Sequence, residues 1–132
     1  MILVDGEGTP LGADIASASQ AEVNLIEPLL NKRTARRRPP RLIYDRAADS
    51  DPLRKRLAKR CIELICPHRK NRQRPKTQDG RKLRRYKRRY KVERSISWLF
   101  NNRRLLVRHE YYAHLFLGFV QLACMFTILS RF

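Results

Sequence analysis

Between Arg81 and Phe100 the chain reads Arg-Lys-Leu-Arg-Arg-Tyr-Lys-Arg-Arg-Tyr-Lys-Val-Glu-Arg-Ser-Ile-Ser-Trp-Leu-Phe, with no proline or glycine, and no other stretch constrains the fold as much. Its wealth of Arg, Lys and Leu predicts one long helix over residues 81–100. At 100° per residue, Tyr86, Arg89 and Glu93 fall within about a 60° arc and form one stripe. Glu93 is the only carboxylate between Asp79 and Glu110, so it stands alone in a strongly positive field. A metal ion or a polyanion could use it there, and so could a plain ion pair with Arg89 or Arg94 on a solvated face.

The charge is divided along the chain. Residues 1–31 hold five acids (Asp5, Glu7, Asp14, Glu22, Glu27) and no Lys or Arg, while the rest holds 30 bases and seven acids, which leaves the whole at +18. Such a basic block repels itself without a polyanion, and a nucleic acid backbone is the first expectation, ahead of an anionic membrane surface. A length of 132 residues suits one domain with one modest core. Three cysteines, Cys61, Cys66 and Cys124, and the lack of a leader pattern at Met1–Asp5 point to free thiols in a reducing cytoplasm. Cys61, Cys66 and His68 fit no tight Cys-x-x-Cys spacing, so buried structural thiols are expected in place of a zinc site.

Met1–Val4, the turn cluster Asp5-Gly6-Glu7-Gly8 and Leu11–Ala16 read as a β-hairpin. Ser19 and Glu22 form a capping box ahead of the apolar stripe Val23, Ile26, Leu29 and Leu30. Residues 31–40 are a basic linker ended by Pro39-Pro40. Arg41–Asp45 reads as a strand with an acid at its carboxyl end, Asp51 and Pro52 as the N-cap and first residue of a helix burying Leu53 and Leu57, and Ile62–Cys66 as the next strand. That spacing is a βαβ unit with a parallel pair. His68–Gly80 is a basic loop with little to bury, mobile unless phosphates order it. The uncharged run Tyr111–Ser130 is long enough to span a bilayer. His114, Gly118 and Gln121 recur in it at helical spacing, which favours a helix packed on the sheet, with Leu115, Leu122 and Phe126 buried and Arg108 and Arg131 exposed.

Asp45 at a strand end and Glu93 on a helix, 48 positions on, are hard oxygen donors of the kind that hold divalent metal for phosphoryl chemistry. The segment Tyr44-Asp45-Arg46-Ala47-Ala48-Asp49-Ser50-Asp51-Pro52-Leu53, then Ile62–His68, then Tyr86, Arg89 and Glu93, resembles the catalytic half of bacterial insertion-sequence transposases of the DDE class. The resemblance covers nearly the whole chain. It implies an α/β fold, an RNase H-like mixed sheet with flanking helices, here without its first strand and with residues 1–132 as one partial catalytic domain. It further implies Mg2+ or Mn2+ as cofactor, Asp45 and Glu93 as catalytic and metal-holding acids, and Tyr86 and Arg89 as signature residues around Glu93.

DNA, as insertion-sequence ends and target, is the implied partner. Arg69, Lys70, Arg72, Arg81, Lys82, Arg84, Arg85, Lys87, Arg88 and Lys91 are the expected phosphate contacts, and Trp98 a core residue. The family's first acid lies on a strand ahead of the one that Met1–Gly6 resembles, and Asp5 reads as a turn residue. The chain alone is therefore expected to be inactive, and to need an upstream transposase segment or a homo-oligomer, on nucleoid DNA in the cytoplasm. The rival expectations are a non-catalytic DNA-binding or multimerising regulator and a basic membrane-associated protein.

Overall fold

A computed structural model describes residues 1–131. In chain order its elements are β1 (Ile2–Val4), β2 (Pro10–Ala13), α1 (Glu22–Asn31), β3 (Arg41–Ile43), α2 (Asp51–Lys59), β4 (Glu63–Ile65), α3 (Gly80–Leu83), α4 (Tyr90–Phe100), α5 (Arg103–Leu106) and α6 (Ala113–Leu129), with 3₁₀ turns at Arg46–Ala48 and Arg84–Arg89. The architecture is mixed α/β. The expected single sheet is instead two separate two-stranded sheets among the described residues, β1 antiparallel to β2 and β3 parallel to β4. The chain divides into two compact units, Arg36–Arg89 and Met1–Ala35 with the stretch from Tyr90 onward.

The Arg36–Arg89 unit is the βαβ element that the spacing predicts. Leu53 and Leu57 lie one turn apart on α2 and are fully buried together with Ile65 and Cys66. The cap of α2 is Ser50, whose Oγ accepts from the Leu53 amide at 3.4 Å, and Asp51 is the first helical residue, not the cap. The helix ends in a Schellman arrangement, with the Ile62 amide donating to Leu57 O and the Cys61 amide to Ala58 O, both at 2.9 Å. Cys61 occupies the left-handed position at φ +58°. A Cβ is strained there, so Cys61→Gly should stabilise the fold by about 0.5–1 kcal/mol, read by chemical denaturation. On β4, Leu64 O accepts from Arg54 Nη1 (3.0 Å) and Gln78 Nε2 (2.7 Å). The two side chains thereby satisfy an edge carbonyl that another strand would otherwise seek.

In the other unit, Asp5 closes the β1–β2 turn, its Oδ1 accepting from the Glu7 and Thr9 amides at 2.8 Å each, so it is the turn residue expected. Ser95 on α4 is fully buried, with its hydroxyl 2.6 Å from Gly8 O and 2.8 Å from Lys91 O. Trp98 is not a plain core residue. The guanidinium groups of Arg94 and Arg131 lie 4.9 and 4.6 Å from its ring centre, and Arg131 also donates to Thr9 Oγ1. The core gathers Ala13, Leu99, Leu105, Ala123 and Cys124, with Phe116, Leu117, Phe119 and Val120 packed against it.

Three further expectations need correction. Leu115 and Leu122 are 48 % exposed and Phe126 65 %, because α6 is turned so that Ala123 and Cys124 face inward. His114 and Gln121 are exposed on it but are too few among apolar residues to make a polar face that fixes its orientation. No described helix is long and apolar enough to cross a membrane. The capping box does not form: α1 starts after Ala21 without a side-chain cap, and the Ser19 hydroxyl bonds that of Ser17. The helical stretch 81–100 is broken into α3, capped by Asp79, the Arg84–Arg89 3₁₀ segment and α4. Like charges three and four apart, such as Arg84 with Lys87 and with Arg88, work against a continuous α-helix here.

Candidate active site around Asp45

Asp45 follows β3 and caps the 3₁₀ turn Arg46–Ala48, its Oδ1 accepting from the Ala47 amide at 2.8 Å. That bond fixes the carboxylate and leaves Oδ2 toward Arg89, whose Nη2 lies 3.6 Å away. Arg89 Nη1 in turn donates to the Tyr86 hydroxyl at 3.4 Å. Residues three apart eclipse in a 3₁₀ helix, so the Arg84–Arg89 segment itself brings these two side chains together. Tyr86, Arg89 and Asp45, from segments more than forty residues apart, thus form one chain of contacts inside one unit. Glu93 lies exposed on α4, which belongs to the other unit.

Among the described residues no three His, Cys, Asp or Glu side chains stand together as a metal-binding set. Asp45 supplies a partly exposed hard oxygen of the right chemistry, but it does not by itself build a site.

The most buried carboxylate nearby is one the sequence reading passed over. The Asp49 side chain is 2 % exposed and accepts from His68 Nδ1 (2.9 Å), the Arg69 amide (2.9 Å), Arg54 Nη2 (3.1 Å) and Arg72 Nη1 (3.3 Å). Burial raises its pKa, and these donors outweigh burial and hold it at about 2. Asp51 is also held low, chiefly by Arg72, whose Nη2 lies 2.9 Å from Oδ1. His68 Nε2 accepts from the Thr77 amide at 3.1 Å, so the ring latches the far end of the loop as well. The loop expected to be mobile is therefore tied down at both ends by an acidic hub. The run Asp49-Ser50-Asp51 opposite a basic loop was the available signal.

This latching redistributes the expected phosphate contacts. Arg72 faces Asp49 and Asp51, and the Arg69 guanidinium lies on the carbonyls of Arg46 and Ala47. Lys82 pairs with Glu63 at 2.7 Å and holds that carboxyl low, Arg81 pairs with Asp79 at 2.9 Å, and Lys91 bonds Gly6 O and Glu7. In each case a carboxylate or carbonyl of the chain lies within reach. Lys70, Arg84, Arg85, Lys87 and Arg88 are exposed. Burial pushes the Cys66 thiol up to about 11 and raises that of Cys124, so neither is a nucleophile or a ready metal ligand.

Residues 1–128 match the Transposase DDE domain family. The chain belongs to this family. It is 35 % identical over 131 residues to a protein of Burkholderia cepacia named as a candidate transposase for insertion sequence element IS402, with 93 % of this chain covered. The chain spans 58 % of the length of that relative. No solved structure matches it. Membership in the DDE transposase family agrees with the resemblance drawn from Asp45, Tyr86, Arg89 and Glu93. Divalent metal is general to that family.

Proposed function

We propose that this chain is the strand-cutting part of an insertion-sequence DNA transposase, with Asp45 and Glu93 as two of the carboxylates that hold Mg2+ or Mn2+. The observation that carries this reading is the contact chain from Tyr86 through Arg89 to Asp45, inside a protein of the DDE transposase family. Bound divalent metal would supply Lewis-acid stabilisation of the attacking and leaving oxygens at a phosphodiester. The chain's own residues do the rest. The Ala47 amide fixes Asp45 with one oxygen turned outward, Arg89 sets a positive charge beside it, and exposed Lys70, Arg84, Arg85, Lys87 and Arg88 meet the DNA backbone.

The finer parts of the proposal are an RNase H-like fold of which residues 1–132 are one part, and a third carboxylate supplied from outside them. Assembly with an upstream segment or further copies on nucleoid DNA follows from the same reading. A pair of metal ions would need bridging as well as terminal carboxylates, and with Asp45 and Glu93 alone one of the two would be under-coordinated. The isolated chain is therefore expected to bind DNA without cutting it, which is also how a regulatory fragment would behave.

The test is plasmid nicking in Mg2+. The 132-residue chain alone leaves the plasmid closed, and fusion behind a segment bearing the third acid restores nicking. Nicking by the isolated chain that is lost in Asp5→Asn would overturn the assignment. Binding itself is expected to be weakly sequence-selective and steeply salt-dependent. In a filter-binding titration, Arg84→Gln and Arg88→Gln should each lower the slope of log affinity against log salt by about 1.

A further inference from the structure

We infer that Arg69 is a positioning residue for Asp45, not a phosphate contact. This rests on the reading of Asp45 as a metal-holding carboxylate, but the contacts that carry it are independent of that reading. The backbone amide of Arg69 donates to Asp49 Oδ2 at 2.9 Å, which anchors the residue to a nearly buried carboxylate. From that anchor its guanidinium reaches back over the 3₁₀ turn, with Nη2 3.2 Å from Ala47 O and Nε 3.4 Å from Arg46 O. The same turn carries the amide that holds Asp45: Ala47 N–H donates to Asp45 Oδ1 at 2.8 Å, and the Ala48 amide donates to Asp45 O at 3.2 Å. Arg69 thus grips two carbonyls of the turn whose Ala47 amide orients the carboxylate.

A three-residue turn is weakly held on its own, since one 3₁₀ turn makes few bonds and poor ones. Asp49 closes the loop of contacts from within, because it both ends the turn, through its amide to Arg46 O at 3.1 Å, and anchors Arg69. The guanidinium fork matters geometrically. Two separate N–H vectors address two successive carbonyls, which a single ammonium on a flexible stem does not reproduce. A phosphate contact would differ, since it needs the charge and tolerates lysine.

The experiment uses the 132-residue chain, with Arg69→Ala and Arg69→Lys, both of which keep the backbone amide that anchors to Asp49. Amide exchange by NMR is expected to quicken about tenfold at Ala47, Ala48 and Asp49 in both variants, while Leu64 and Ile65 in β4 exchange as in the parent chain. DNA affinity at fixed salt should change less than about twofold in both. Mn2+ added to the nicking-competent fusion should broaden the Ala47 amide, and the same fusion carrying either variant should need several-fold more Mn2+ for the same broadening. Unchanged exchange at Ala47–Asp49, or recovery of parent exchange by Arg69→Lys, would overturn the inference. So would a large loss of DNA affinity in Arg69→Ala that Arg69→Lys restores. If Mn2+ leaves Ala47 of the fusion untouched, the metal reading of Asp45 fails, while the exchange rates still decide whether Arg69 holds the turn.

Discussion

Asp49→Asn should lower the stability of the Arg36–Arg89 unit by about 3–5 kcal/mol, the cost of removing one partner from a buried ion-pair network. Arg54 and Arg72 are only 12 % and 11 % exposed, and both face Asp49. An amide there would leave the Arg54 guanidinium desolvated and short of its counter-charge, and Arg72 with Asp51 alone. The same hub sets an acid sensitivity whose sign is fixed by its lowered pKa. The stability that Asp49 contributes is fully present above about pH 4 and is lost as pH falls through about 2. The span from 3.8 to about 2 corresponds to about 2 kcal/mol. Denaturation followed by circular dichroism between pH 5 and pH 2 should show that slope in the parent chain and a flatter one in Asp49→Asn.

A second large effect is expected on catalysis. In the fusion that restores nicking, Asp45→Asn and Glu93→Gln should each reduce strand cleavage by about a thousandfold or more, since metal stabilisation of the transferring group amounts to several kcal/mol. DNA affinity should change little in either variant, because cations hold the backbone. Arg89→Ala should cut less deeply than either, since it removes a neighbouring charge and not a ligand. Gel quantification of nicked plasmid against time separates the three.

Local patterns made much of this legible. The hairpin at β1 and β2 and the strand, helix, strand order of β3, α2 and β4 follow from turn residues and apolar runs close together in sequence, and both are present. Asp45, Tyr86 and Arg89 are singled out by the family resemblance, and their side chains lie in contact. What escaped depends on partners far along the chain. Asp49 meets His68, Arg69 and Arg72 about 20 residues on, in a loop with almost nothing apolar, and no periodicity reports such pairing. The orientation of α6 escaped for the opposite reason, since Leu115, Leu122, Phe126, Ala123 and Cys124 are all apolar and only packing distinguishes them. Glu93 stands out as a lone acid in a basic helix, and the role proposed for it rests on family resemblance.

The central claim is that Asp45 and Glu93 hold the metal. Iron-directed backbone scission of the nicking-competent fusion tests it most directly: Fe2+ replaces Mg2+, and peroxide with ascorbate releases radicals that cut the polypeptide beside the ion. Cuts are expected next to Asp45 and next to Glu93, both suppressed by excess Mg2+ and both lost in Asp45→Asn. Cuts confined to other acids, such as Asp49 and Asp51, or cuts indifferent to Asp45→Asn and Glu93→Gln, would contradict it.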